Sequence, residues 1–142
     1  MTAKEYLKQI KEIRHRIRIL DEQIQQLRAD AESVGISIDG MPHAQGGKNT
    51  KWESLVIQLA DCEHELQTEM STLWSKTMQA NVYIGRIEST QYQDILIRRY
   101  LKDQRWEQIS YEMHISWQHS FRIHSRALTE LEKILYVEGI CD

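Results

Sequence analysis

Residues 105–135, RWEQISYEMHISWQHSFRIHSRALTELEKIL, contain two helical patterns that a short break separates. Their apolar residues recur at helical spacing, and these are Trp106, Ile109, Tyr111 and Met113 before the break and Phe121, Ile123, Ala127, Leu128, Leu131, Ile134 and Leu135 after it. Ser116 is suited to begin the second helix, because its hydroxyl can accept a hydrogen bond from a free backbone N–H. Two short helices joined by a turn indicate a helix-turn-helix, whose second helix enters the major groove of DNA. A helical hairpin without a ligand fits the same periodicity.

Three parts of the chain, namely its C-terminal half, its start and its middle, resemble known families. The residues WEQISYEM, HIS and RIHSRALTEL resemble the region-four helix-turn-helix of bacterial sigma factors. Together with QYQDILIRRYL before them, MTAKEYLKQI at the start and GMPHAQGGKN in the middle, they resemble phage late-gene transcription regulators of the RinA/ArpU type. This resemblance covers nearly the whole chain and implies activation of late genes for packaging and structural proteins.

The motif departs from that family at several positions. His114 stands where the turn usually has glycine, and Ser120 stands where an apolar residue usually faces the first helix. Trp117, Gln118 and His119 occupy leading positions that are often basic in the family. We expect the helix-turn-helix to tolerate these changes but to have a different DNA sequence preference.

The expected DNA contacts fall into two groups. The side chains expected to read bases are Trp117, Gln118, His119 and Arg122, since glutamine can pair with adenine and arginine with guanine through two hydrogen bonds. Trp117 has the alternative of folding back onto the small core. Phosphate contacts are expected from Arg98, Arg99, Lys102, Arg105, Ser116 and Arg126. A solvated face is the alternative for these cations, and Arg126 has Glu130 as an alternative partner one turn later.

The N-terminal segment has the heptad pattern of a helix that packs along one seam. Its apolar residues alternate by three and four, and they are Ala3, Tyr6, Ile10, Ile13, Ile17, Leu20, Ile24, Leu27, Ala31 and Val34. A partner helix must cover this seam, from this chain or from another copy. Ile10, Ile13, Ile17, Leu20, Ile24 and Leu27 are the residues that we expect in an oligomer seam, most simply of a homodimer.

Cations are concentrated in the first half of the same segment. They are Lys4, Lys8, Lys11, Arg14, Arg16 and Arg18, whereas only Glu5 and Glu12 are acidic there. A solvated charged face explains this pattern, and a strip that contacts phosphates without sequence preference is the alternative.

The fold class that these patterns predict is all-α. A second long helical pattern runs from Lys51 to Ile87, with Thr50 and Glu53 suited to a capping box. Residues 35–50 contain four of the six glycines and the one proline, which predicts a loop. We therefore predict a long antiparallel, coiled-coil-like hairpin over residues 1–88, which serves oligomerisation, and a three-helix helix-turn-helix domain over residues 89–142.

Composition excludes several other classes of protein. The chain of 142 residues has a net charge of −3, and its two cysteines, Cys62 and Cys141, are too far apart to suggest a zinc site. Gly46, Gly47 and Lys48 do not complete a phosphate-binding loop, and no catalytic or metal-binding constellation is recognisable. We expect no enzyme activity, no cofactor and no metal. A charged start and the lack of a long apolar stretch predict a cytoplasmic protein without a membrane segment, in the host cell if a phage encodes it.

The sequence therefore predicts a sequence-specific regulator of transcription that binds double-stranded DNA as a dimer. One alternative is a sigma-like module that docks on host RNA polymerase and binds DNA weakly, which the negative net charge favours. Another alternative is a structural or packaging component that captures DNA.

Overall fold

The computed structural model describes residues 1–33 and 50–142, and within these ranges the chain is all-α without a strand. The helices are α1 (Ala3–Ser33), α2 (Thr50–Ile84), α3 (Thr90–Leu96, continued by a π-helical turn over Ile97–Leu101), α4 (Trp106–Met113) and α5 (Trp117–Val137). The predicted all-α class is confirmed. The predicted loop before Thr50, including Gly35 and the Gly46–Lys48 stretch, lies outside the described residues, as does Val34.

The described residues form two compact units. Unit 1 comprises Met1–Ile13 and Leu73–Asp142, and unit 2 comprises Arg14–Thr72. Each unit therefore contains a part of α1 and a part of α2. The division between residues 1–88 and 89–142 stays a prediction.

In unit 2, ion pairs join α1 to α2. Arg16 lies 3.3 Å from Glu69, and Arg28 lies 3.1 Å from Glu63. The partner's number falls as the α1 number rises, which is the order of antiparallel segments. In this part of the predicted oligomer seam Leu20 and Ile24 are buried, and Ile17 and Leu27 are half-buried, within a single chain.

Unit 1 has one hydrophobic core, to which the first turns of α1 contribute. Leu7 is completely buried, and the Tyr6 hydroxyl donates to Oε1 of Gln79 on α2 over 3.1 Å. The core residues are Ala3, Tyr6, Leu7, Ile10, Ala80, Ile84, Ile87, Ile95, Leu96, Tyr100, Leu101, Ile109, Ile123, Ala127, Leu131, Leu135 and Cys141. Burial of each large aliphatic side chain contributes about 1.5–3 kcal/mol, so residues before position 89 stabilise α3, α4 and α5 substantially.

Most residues of the predicted oligomer seam are buried within a single chain. Ile10 and Ile13 are buried in unit 1, as Leu20 and Ile24 are in unit 2. Because this apolar surface is already removed from water within one chain, the seam alone gives no reason for dimerisation. The homodimer and its seam stay predictions.

Local signals explain where α3 begins and how it ends. Ser89 has an extended backbone, and its hydroxyl accepts a hydrogen bond from the Tyr92 N–H over 3.3 Å. At the other end the Lys102 N–H donates to the Ile97 carbonyl over 2.8 Å, which closes a π-helical turn. Helix α5 packs against both α3 and α4, and α4 also contacts the π-helical turn.

Candidate nucleic-acid interface

The turn between α4 and α5 begins with a residue in a left-handed conformation. His114 has φ 57° and ψ 42°, a region that glycine adopts without strain and that costs other residues roughly 1–2 kcal/mol. The His114 N–H donates to the Tyr111 carbonyl over 3.3 Å, and the Ile115 N–H donates to the Ser110 carbonyl over 3.1 Å. These two bonds form a Schellman motif, which ends α4 and turns the chain. Position 114 also stands out in the sequence, because histidine replaces the glycine that such a turn usually has.

Ser116 begins α5 as expected. Its backbone is extended (φ −70°, ψ 158°), and its hydroxyl accepts from the His119 N–H over 3.1 Å. Ser116 is exposed, and the first N–H groups of a helix have no partner within the helix. Such a helix start favours an anion, because free N–H groups and the helix dipole both point toward it.

Helix α5 has one side in the core and the opposite side open. Ser120, Ala127 and Leu131 are buried, and Ser120 donates to the Trp117 carbonyl over 2.5 Å. With 3.6 residues per turn, Gln118 and Arg122 lie on the side opposite these buried residues, and both are exposed. His119 is half-buried on the flank. Two of the expected base-reading side chains thus share the open side of α5.

Trp117 belongs to an aromatic row beside that open side. Its ring centroid lies 6.1 Å from that of Phe121, which in turn lies 4.9 Å from that of Trp106 on α4. Trp117 is 48% exposed, so it neither enters the core nor points freely outward. The alternative of folding back is therefore realised only in part, through contact with Phe121.

The arginines of the π-helical turn differ in their environments. Arg98 is mostly covered and forms ion pairs with Asp94, at 2.9 Å, and with Glu112 on α4. These carboxylates neutralise its charge, which disfavours a phosphate contact by Arg98. The Arg99 guanidinium lies 4.8 Å from the centre of the Trp106 ring and donates to the Gln104 carbonyl over 3.1 Å.

Three other predicted phosphate contacts remain on the surface. Lys102 and Arg105 are exposed between the π-helical turn and α4, and Arg105 provides the extended residue before α4. Arg126 is exposed on α5, and its suggested partner Glu130 pairs instead with Lys133 over 3.0 Å. These three cations form no ion pair with another described residue.

A groove in unit 1 brings α1 beside this region, which sequence reasoning missed. It has a volume of about 190 Å³, and its lining residues are Lys4, Lys8, Lys11, Arg99, Tyr100, Trp106, Phe121 and His124. The signal that could have identified it is the spacing of the three lysines, which places them on one face of α1. For Trp106 and Phe121 the helical periodicity predicts only packing.

His124 lies at the base of this groove in a neutral state. Burial, and then the charges of Lys4 and Arg99, lower the pKa of His124 from 6.5 to about 4. Its Nε2 lies 2.8 Å from the Tyr100 hydroxyl, and its ring packs edge-on against Trp106 at 4.8 Å. The positive charge of the groove therefore comes from lysine and arginine.

Other kinds of site are not found in the part of the chain that the structure describes. Over residues 1–33 and 50–142, no group of three or more histidine, cysteine or acidic side chains is arranged to hold a metal ion. No helix within the same ranges is both long and apolar enough to cross a membrane. Cys62 and Cys141 are free thiols.

Comparison with known proteins gives a family but no function. The family model described as "Protein of unknown function (DUF1492)" matches residues 40–132, well over half of the chain. No curated protein and no solved structure matches the chain. From the extent of the family match, we conclude that the chain belongs to the phage-associated DUF1492 family.

Proposed function

We propose that this protein is a sequence-specific DNA-binding regulator of transcription, in which α4, its turn and α5 act as a helix-turn-helix. The observation that carries the proposal is the open side of α5, where Gln118 and Arg122 project from the first two turns. Both side chains can form paired hydrogen bonds with base edges in the major groove. The core on the other side of α5 would hold this helix rigidly against DNA.

Phosphate contacts around α5 would fix its position on the duplex. Ser116 and the N–H groups that follow it are placed for a phosphate at the start of α5. Lys102, Arg105 and Arg126 are exposed cations whose charge no described carboxylate neutralises. Such contacts set affinity and orientation, while the base contacts set sequence preference.

The resemblance to regulators of the RinA/ArpU type suggests which genes are regulated. We expect activation of phage late genes in the cytoplasm of the host cell. The two long helices would form the predicted hairpin, and a dimer would place one reading helix on each half-site. Neither a cofactor nor a catalytic step is part of this proposal.

An exposed apolar stripe on α2 favours a second candidate function. Trp74, Met78 and Val82 recur every four residues, and Trp74 is 69% exposed. A row of large exposed apolar side chains marks a surface for a protein partner. With a net charge of −3, this stripe supports a sigma-like module that docks on host RNA polymerase and binds DNA weakly.

Selection of binding sites from a random pool of DNA duplexes tests the first proposal. Replacing Gln118 or Arg122 with Ala should each cost roughly 1–3 kcal/mol on the selected site and loosen the preference at one base pair. Gln25→Ala and Arg28→Ala are matched controls, because both residues are exposed in unit 2 and their changes remove the same groups. The controls should keep the affinity and the base preference of the unmodified chain.

The same experiment separates the two candidate functions. If the Gln118 and Arg122 variants keep the full affinity and base preference, α5 does not read DNA. Electrophoretic shift on the late-promoter region with and without host polymerase then tests the rival. A shifted band that forms only with polymerase, and that Trp74→Ser abolishes, would support docking on polymerase.

A further inference from the structure

The groove of unit 1 places three lysines of α1 beside α5. Lys4, Lys8 and Lys11 recur by four and three residues, so they form one row along a face of the helix. The row is roughly 10 Å long, because an α-helix rises 1.5 Å per residue. One DNA strand carries a phosphate about every 3.4 Å of axis, so the row matches about three phosphates.

Acidic side chains compensate the charge of this row only in part. Lys4 and Lys8 form no ion pair with a described residue, although the charge of Lys8 acts on Glu5, and Lys11 lies 3.5 Å from Asp103. No carboxylate is among the residues that line the groove, and Arg99 adds a fourth positive charge. The lowered pKa of His124, to which Lys4 and Arg99 contribute after burial, is consistent with a positive potential here.

Phe121 connects the groove to the open side of α5. Its ring contacts Trp106 within the groove, and on its own helix it lies one turn after Gln118. A DNA strand that passes Gln118 would therefore have its backbone next to the lysine row. The apolar ring faces of Phe121 and Trp106 are suited to pack against a deoxyribose.

We propose that Lys4 and Lys8 of α1, together with Arg99, form a phosphate clamp for the DNA strand that flanks the bases read by α5. This inference rests on the proposed function and adds the N-terminal turns of the chain to the DNA-binding surface. The ligand group is the DNA phosphate, so the clamp adds affinity for every sequence alike. It also adds a strong dependence of binding on salt.

Titration of DNA at several salt concentrations tests the clamp in the full-length chain. The Lys4→Gln/Lys8→Gln variant should bind the selected duplex and a random duplex about tenfold more weakly at physiological salt, with the same base preference. The slope of log affinity against log salt should become shallower by about 1.8, which corresponds to two lost phosphate contacts. The control is Arg28→Gln/Lys51→Gln, which removes two positive charges at exposed positions of unit 2. This control variant should change the slope of log affinity against log salt much less than Lys4→Gln/Lys8→Gln does.

Protection of lysines in the unmodified chain provides a second measurement. Acetylation followed by mass spectrometry should show that a duplex protects Lys4 and Lys8 but leaves Lys51 reactive. Equal affinity and slope in the two double variants, or unprotected Lys4 and Lys8, would overturn the clamp while sequence-selective binding stands. Conversely, salt-dependent binding that lacks sequence preference, and that Lys4→Gln/Lys8→Gln weakens, would refute base reading and support the clamp.

Discussion

His124 should make the stability of this protein depend on pH between neutrality and mild acid. Burial, followed by the charges of Lys4 and Arg99, lowers the pKa of His124 to about 4 in the folded chain, compared with an ordinary value of 6.5. Between these values the unfolded chain binds a proton that the folded chain does not bind. The free energy of unfolding therefore falls as the pH is lowered through this window.

The size of this effect follows from the two pKa values. From pH 7 to pH 5 the linkage amounts to at most about 2 kcal/mol, and we expect about 1 kcal/mol because the side chain is half-exposed and solvent screens it. The carboxyl of Glu5 affects the free energy of unfolding below this pH range. The backbone hydrogen bond from Thr2 lowers the pKa of Glu5 below 4.5, so its stabilisation is lost only at more acidic pH.

Urea denaturation of the full chain at pH 7 and pH 5 measures the effect. His124→Gln removes the titrating ring, so this variant should lose most of the difference between the two pH values. Tyr100→Phe is the control, because it removes the hydroxyl that lies 2.8 Å from Nε2 but keeps the titrating imidazole. It should keep the difference even if it is less stable overall. An unchanged pH difference in His124→Gln would refute this reasoning.

Four further predictions concern the fold and the assembly. His114→Gly should raise the free energy of unfolding by up to about 1 kcal/mol, because glycine adopts the left-handed turn without strain, and a lower melting temperature would contradict this. Thr77→Val should stabilise by roughly 1 kcal/mol in urea denaturation, since the buried Thr77 hydroxyl has no hydrogen-bond partner among the described residues, whereas Thr77→Ser should not. Residues 89–142 alone should lack a cooperative thermal transition by circular dichroism, because they lose the core residues from α1 and α2. Light scattering at micromolar concentration should show a dimer, and a monomer would exclude the dimer.

The helix boundaries could be predicted from the sequence because their signals are local. The Ser116 hydroxyl caps α5 three residues ahead, and Ser89 does the same for α3. The turn at His114 is likewise formed by residues within five positions of one another. Periodicity and capping both depend on residues that are close in the sequence, so they can be recognised without knowledge of the tertiary fold.

The core of unit 1 could not be predicted in the same way, because it joins distant segments. Leu7 does not belong to the alternating seam of α1, yet it is completely buried. A heptad pattern shows that a face needs a cover, but not which segment provides it. The lysine row was visible as a spacing, while its aromatic neighbours Trp106 and Phe121 meet it only through the tertiary fold.

The π-helical turn at Ile97–Leu101 makes the cationic surface sensitive to the number of residues in this turn. Such turns occur mostly as single turns within helices and often accompany functional sites. Removing one residue here would restore α-helical bonding and rotate α3 by about 100° relative to the residues that follow. Arg99 would then leave Trp106, and Arg98 would leave Asp94 or Glu112. Insertion or deletion of one residue in this turn would therefore alter the cationic surface more than a substitution would.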